Sequence, residues 1–137
     1  MTWLRKQVRE MAKFFPGFEV VHGDGEQTLW RGTLQPRENG LVYVVEVTAF
    51  KDSARDPVVH VVDPPPGDDA PHRYADGRLC LYYPPDGTWA DDRRVARTIV
   101  GLTALWLACY ELWQQTGKWY APEAPHGHGE VATYASN

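Results

Sequence analysis

A chain of 137 residues, 43% apolar and 23% charged, has the composition of a folded protein and enough length for one core. Its formal charge is -4, with 14 basic against 18 acidic side chains and no strong basic cluster, which argues against nucleic acid as a partner. No run approaches 18 uncharged apolar residues, so no membrane span is expected. The opening MTWLRKQVREMAKFF is charged through its middle and does not read as a secretory signal.

The first element is a helix. Leu4, Val8, Met11 and Phe15 fall on one apolar stripe, and Pro16-Gly17 stops it. Arg5, Lys6, Arg9 and Lys13 flank the stripe, either as a solvated face or as a docking surface. Four strand segments follow: 18–22, 28–34, 41–50 and 58–62. The third is introduced by Asn39-Gly40, a strong turn dipeptide, and Pro64-Pro65-Pro66 ends the fourth. Short turns between consecutive strands give an antiparallel meander, because parallel pairing needs long crossovers.

From Asp63 to Asp91 the chain is rich in Pro, Gly and Asp and should have little regular structure. The apolar run 79–83 inside it should hold this loop against the fold. A long central helix is then predicted from Asp91-Asp92 to Gly117, with Val95, Ile99, Leu102, Trp106, Cys109 and Trp113 at helical spacing. Val100, Leu105, Leu107, Tyr110 and Leu112 widen its apolar face. The tail, 121–137, is too rich in Pro and Gly for a long helix. With no repeat or boundary evident, residues 1–137 read as one α+β domain.

Chemistry concentrates at Cys80. It follows Asp76-Gly77 and precedes Pro84-Pro85, so turns fix its backbone, and an exposed, turn-held thiol is a reactive candidate. Cys109, on the helix stripe, reads as a small core hydrophobe. A cytosolic, reducing compartment is the default, and there the two thiols stay unpaired. His72, eight residues before Cys80, could fold back towards it as a catalytic group or as a loop staple. His126 and His128 with Glu130 suggest a metal site only weakly, since a Pro/Gly-rich tail does not fix geometry. No phosphate-binding loop, dinucleotide fingerprint, HExxH or GxSxG pattern is present, and no cofactor is expected.

The order of elements and the segment His72, Asp76-Gly77, Leu79-Cys80-Leu81, Trp89 resemble the ubiquitin-conjugating enzyme family in its divergent prokaryotic form. The resemblance runs to about Thr116. The closing TGKWYAPEAPHG looks like the ending of conjugating-enzyme-like proteins in bacterial antiviral operons of the CBASS and Bil types. It implies that Cys80 takes a C-terminus as a thioester from an activating, adenylating enzyme and passes it to an amine. The payload would be a ubiquitin-like protein or the C-terminus of a cGAS-like cyclic-nucleotide synthase. It also implies that Arg5, Lys6, Arg9 and Lys13 face the activating enzyme, while composition and hydropathy leave no nucleic acid and no membrane among the expected partners. The family's His-Pro-Asn motif is absent, because His72-Arg73-Tyr74 stands there. The group that steadies the oxyanion is therefore open: His72, Tyr74, a backbone N–H, or His126 brought back by Pro122 and Pro125. A non-catalytic binding module of the same fold, or an unrelated α+β protein with a tail metal site, are the alternatives.

Overall fold

The computed structural model describes residues 1–120. Helix α1 spans Trp3–Phe14, and the Thr2 hydroxyl caps it by accepting the Arg5 N–H at 3.2 Å. Strands β1 (Glu19–Gly23), β2 (Gln27–Leu34), β3 (Tyr43–Phe50) and β4 (Val58–Asp63) form one antiparallel sheet in the order β1-β2-β3-β4. The meander and the α+β layout are those expected of the conjugating-enzyme fold.

Period-two alternation decides the sheet's inner face. Thr28 and Trp30 on β2, Tyr43, Val45, Val47 and Ala49 on β3, and Val59 and Val61 on β4 are buried. Trp30, Tyr43, Met11, Ile99 and Leu107 are among the largest fully buried side chains, and burying an aliphatic side chain of this kind stabilises the fold by roughly 1.5–3 kcal/mol. Gly32 is required on that face. A Cβ there would lie 2.4 Å from the Phe18 ring, so only glycine lets the chain after α1 close over β2.

The third strand begins at Tyr43 rather than Leu41. Leu34 is the last β2 residue to pair, and Pro36 just beyond it has no N–H to continue the ladder. Leu41 and Val42 are therefore exposed, while Asn39 turns the chain in the left-handed region with φ 60°.

The expected helix from Asp91-Asp92 is corrected by the structure. A short helix α2, Thr88–Asp92, stops at Arg93, which is left-handed at φ 53°. The long helix starts at Val95, opens with a π-helical stretch to Val100 and continues as α3, Gly101–Thr116. Its first N–H is capped from another element: buried Gln7 of α1 places its Oε1 3.0 Å from the Val95 N–H. Trp3 ties the same junction, donating its indole N–H to the Arg93 carbonyl at 3.2 Å and meeting Trp89 edge-on. The apolar face of α3 is narrower than its composition suggested, since Leu105 and Leu112 are exposed. Val95–Thr116 is long and apolar enough to cross a membrane, but 56% of its most apolar window is buried inside the fold.

A buried carboxylate joins α3 to the β2–β3 turn. Glu111 accepts the Tyr43 hydroxyl at 2.6 Å on one oxygen and the Arg37 Nε–H at 2.6 Å on the other. Burial first, and then this carboxylate, push the Tyr43 phenol up, so it stays a donor. Glu111→Gln should cost about 1–2 kcal/mol in a urea titration, because the amide replaces a charged acceptor and turns a donor towards Tyr43 or Arg37. A midpoint equal to wild type would mean that the turn is not held there.

Candidate active site

Cys80 ends a small hairpin made by the Asp76-Gly77 turn. Arg73 and Leu79 bridge across it, and the Tyr74 N–H bonds the Arg78 carbonyl at 2.9 Å. The Gly77 N–H closes the turn on the Tyr74 carbonyl at 2.9 Å. Gly77 has φ 91°, a conformation other residues rarely adopt, and Asp76 accepts the Arg78 N–H at 3.0 Å. Hydrogen bonds from Arg78, led by this backbone one, hold the Asp76 carboxyl below the usual carboxylate range. The second arm then docks on the sheet edge, with the Leu79 N–H on the Val59 carbonyl at 2.9 Å.

The hairpin brings His72 and Cys80 face to face through the main chain. The Cys80 N–H donates to the His72 carbonyl at 2.9 Å, and the same carbonyl accepts the indole N–H of Trp106 from α3 at 3.0 Å. His72 sits in the left-handed region at φ 57°, and its ring is 5% exposed, packed 4.7 Å from Trp119. Trp119 also meets Trp106 at 5.4 Å, so the chain after α3 returns to this loop. Tyr110 extends the ring cluster by stacking on Trp106 at 5.3 Å, and its hydroxyl accepts the Gly67 N–H at 3.0 Å.

Downstream, two contacts fix the other side of the thiol. Cys80 Sγ donates to the Tyr82 carbonyl at 3.5 Å, and the Tyr82 hydroxyl donates to Asp56 Oδ2 at 2.8 Å. Buried Trp89 donates its indole N–H to the Ser53 carbonyl at 2.9 Å. Thus both flanks of the Pro84-Pro85 loop are tied to the β3–β4 connection. Sequence reasoning missed Asp56, Gln7 and the roles of Tyr82 and Trp106. Tyr82 left a signal in the apolar run 79–83, and Trp106 as a tryptophan on the predicted stripe.

The exposed thiol expected at Cys80 is not found. Cys80 is 8% exposed and Cys109 4%, because the hairpin and the contact with Tyr82 draw the loop sulfur inwards. Burial pushes the Cys109 thiol up. Native-state maleimide labelling should therefore proceed through local opening at Cys80 and require unfolding of α3 at Cys109. Mass spectrometry of labelled peptides across a urea series checks this, and equal native rates would contradict it.

Arg5, Lys6, Arg9 and Lys13 are all exposed along α1. His126, His128 and Glu130 lie outside the described residues. Among the described residues no group of three or more His, Cys, Asp and Glu gathers as a metal site.

No curated protein matches the chain. The family described as Type II CBASS E2 protein matches residues 7–127, a span that holds the sheet, the Cys80 hairpin and the helix packed behind it. On that match the chain belongs to the type II CBASS E2 family, which gives it an E2-like conjugating role in this bacterial antiviral system.

Proposed function

We propose that Cys80 accepts the C-terminus of a payload protein as a thioester from an activating enzyme and passes it to an amine, in the cytoplasm. The payload is a ubiquitin-like protein or the C-terminus of a cGAS-like cyclic-nucleotide synthase, and residues 1–137 work as one conjugating domain. The observation that carries this reading is the placement of Cys80, within the family match, at the end of a hairpin whose backbone is hydrogen-bonded on both sides. Thiol-to-thiol acyl exchange changes bond energy little. A held sulfur and a bound tail therefore supply much of the rate by proximity, and a thiol is nucleophilic even where little thiolate is present. The test is a thiol-labile adduct that Cys80→Ala abolishes.

Charge on α1 supports a separate activating protein. Arg5, Lys6, Arg9 and Lys13 offer a positive, solvated face to an acidic partner, and such charge acts mainly on encounter rate. Reversing Arg5, Lys6 and Arg9 to Glu should slow charging by the activating enzyme and flatten its salt dependence, while circular dichroism stays native. Unchanged charging kinetics at low salt would return these residues to plain solvation.

A further inference from the structure

We infer that Tyr82 is a positioning residue for the Cys80 thiol and that Asp56, on the β3–β4 connection, is its anchor. The inference rests on the proposed role of Cys80. The thiol's acceptor is the main-chain carbonyl of Tyr82, so its direction follows the backbone of that residue. The side chain holds this backbone in place through the 2.8 Å bond from its hydroxyl to Asp56 Oδ2.

The Tyr82 ring is partly buried against the core and borders a cavity of about 40 Å³, lined in part by Asp56, Val58, Leu79 and Leu81. The hydrogen bond to Asp56 adds to that packing a directional tie at the hydroxyl. Burial, then the bond to Asp56, push the phenol up, so the hydroxyl remains a donor wherever the protein works. The second tie, from Trp89 to the Ser53 carbonyl, closes the device. Residues 82–89 form a strap fastened at both ends to residues 53–56, and Pro84-Pro85 limits its backbone freedom. Loosening the Asp56 end turns the carbonyl that orients the sulfur.

The test uses the full chain and a chemical acyl donor, a glycine-terminated peptide as its 2-mercaptoethanesulfonate thioester. In charging, the Cys80 sulfur forms the new bond to the acyl carbon and the donor's carbon–sulfur bond breaks. The proton shed by Cys80 ends on the departing mercaptan. For Tyr82→Phe and Asp56→Ala, the limiting single-turnover rate of charging should fall roughly five- to tenfold, the effect of one ordinary hydrogen bond, with the half-saturating donor concentration unchanged. Asp56→Asn keeps an acceptor oxygen and should restore most of the rate, which a merely structural role would not require. A second measurement needs no acyl donor: iodoacetamide should alkylate Cys80 about threefold faster in Tyr82→Phe, as the sulfur leaves its fixed acceptor.

A wild-type charging rate in Tyr82→Phe, an Asp56→Asn variant no better than Asp56→Ala, or unchanged alkylation would each overturn the inference. Equal charging of Cys80→Ala and wild type is a separate result, and it would remove the role of Cys80 itself.

Discussion

With its activating enzyme, ATP and payload, Cys80→Ala should form no adduct that dithiothreitol removes, whereas Cys109→Ala should form it at near wild-type yield. The expected loss is complete within detection, because no neighbouring group replaces a missing thiol as acyl acceptor. Cys109 cannot stand in. It is buried on α3, and burial disfavours its thiolate. Each substitution removes one sulfur from a buried site, a change expected to cost about 1 kcal/mol, so both variants should remain folded. Matched melting curves and a gel with and without reductant decide it. An adduct that persists on Cys80→Ala would place the acyl acceptor at another residue of this chain.

How much of this was legible in the sequence depends on whether neighbours along the chain or neighbours in space decide the structure. The stripe of α1 and its stop at Pro16-Gly17, the Asn39-Gly40 turn and the alternation of β3 are local patterns, and the structure follows them. The start of the long helix is not local. Asp91-Asp92 looks like a helix start, yet Arg93 breaks the helix there and the cap comes from Gln7, 88 residues away. Gln7 gives no sign of this in sequence, since a glutamine on a helix is ordinarily a surface residue. Cys80 shows the same limit. Its turn-bound position was readable from Asp76-Gly77, but its burial depends on a sulfur-to-carbonyl contact with Tyr82 and on a hairpin held at its His72 end by Trp106 of α3, which no spacing rule contains. The exposure of Leu105 and Leu112 follows equally from how α3 is rotated against the sheet, a tertiary choice among several apolar faces.

Trp106→Ala should be the most damaging of the substitutions considered, at about 3–5 kcal/mol by urea unfolding, because it opens a large cavity at the junction of helix and hairpin. The indole is 3% exposed, stacks on Tyr110, meets Trp119 and donates to the His72 carbonyl. Trp106→Phe separates packing from the hydrogen bond. It keeps most of the ring, should cost about 1–2 kcal/mol, and takes the indole N–H from the His72 carbonyl while leaving its bond to the Cys80 N–H. If that carbonyl is what sets the hairpin, discharge of the Cys80 thioester to free lysine should slow in Trp106→Phe at matched folded concentration. His72→Gly is the complementary change, since it retains the carbonyl and suits the left-handed backbone at φ 57° while removing the ring. Its discharge rate should stay within about threefold of wild type if the main chain, and not the imidazole, acts on Cys80. A fall of roughly 10²–10³-fold is the size expected for a lost oxyanion donor. That result would assign the role to the imidazole and make the carbonyl contact incidental.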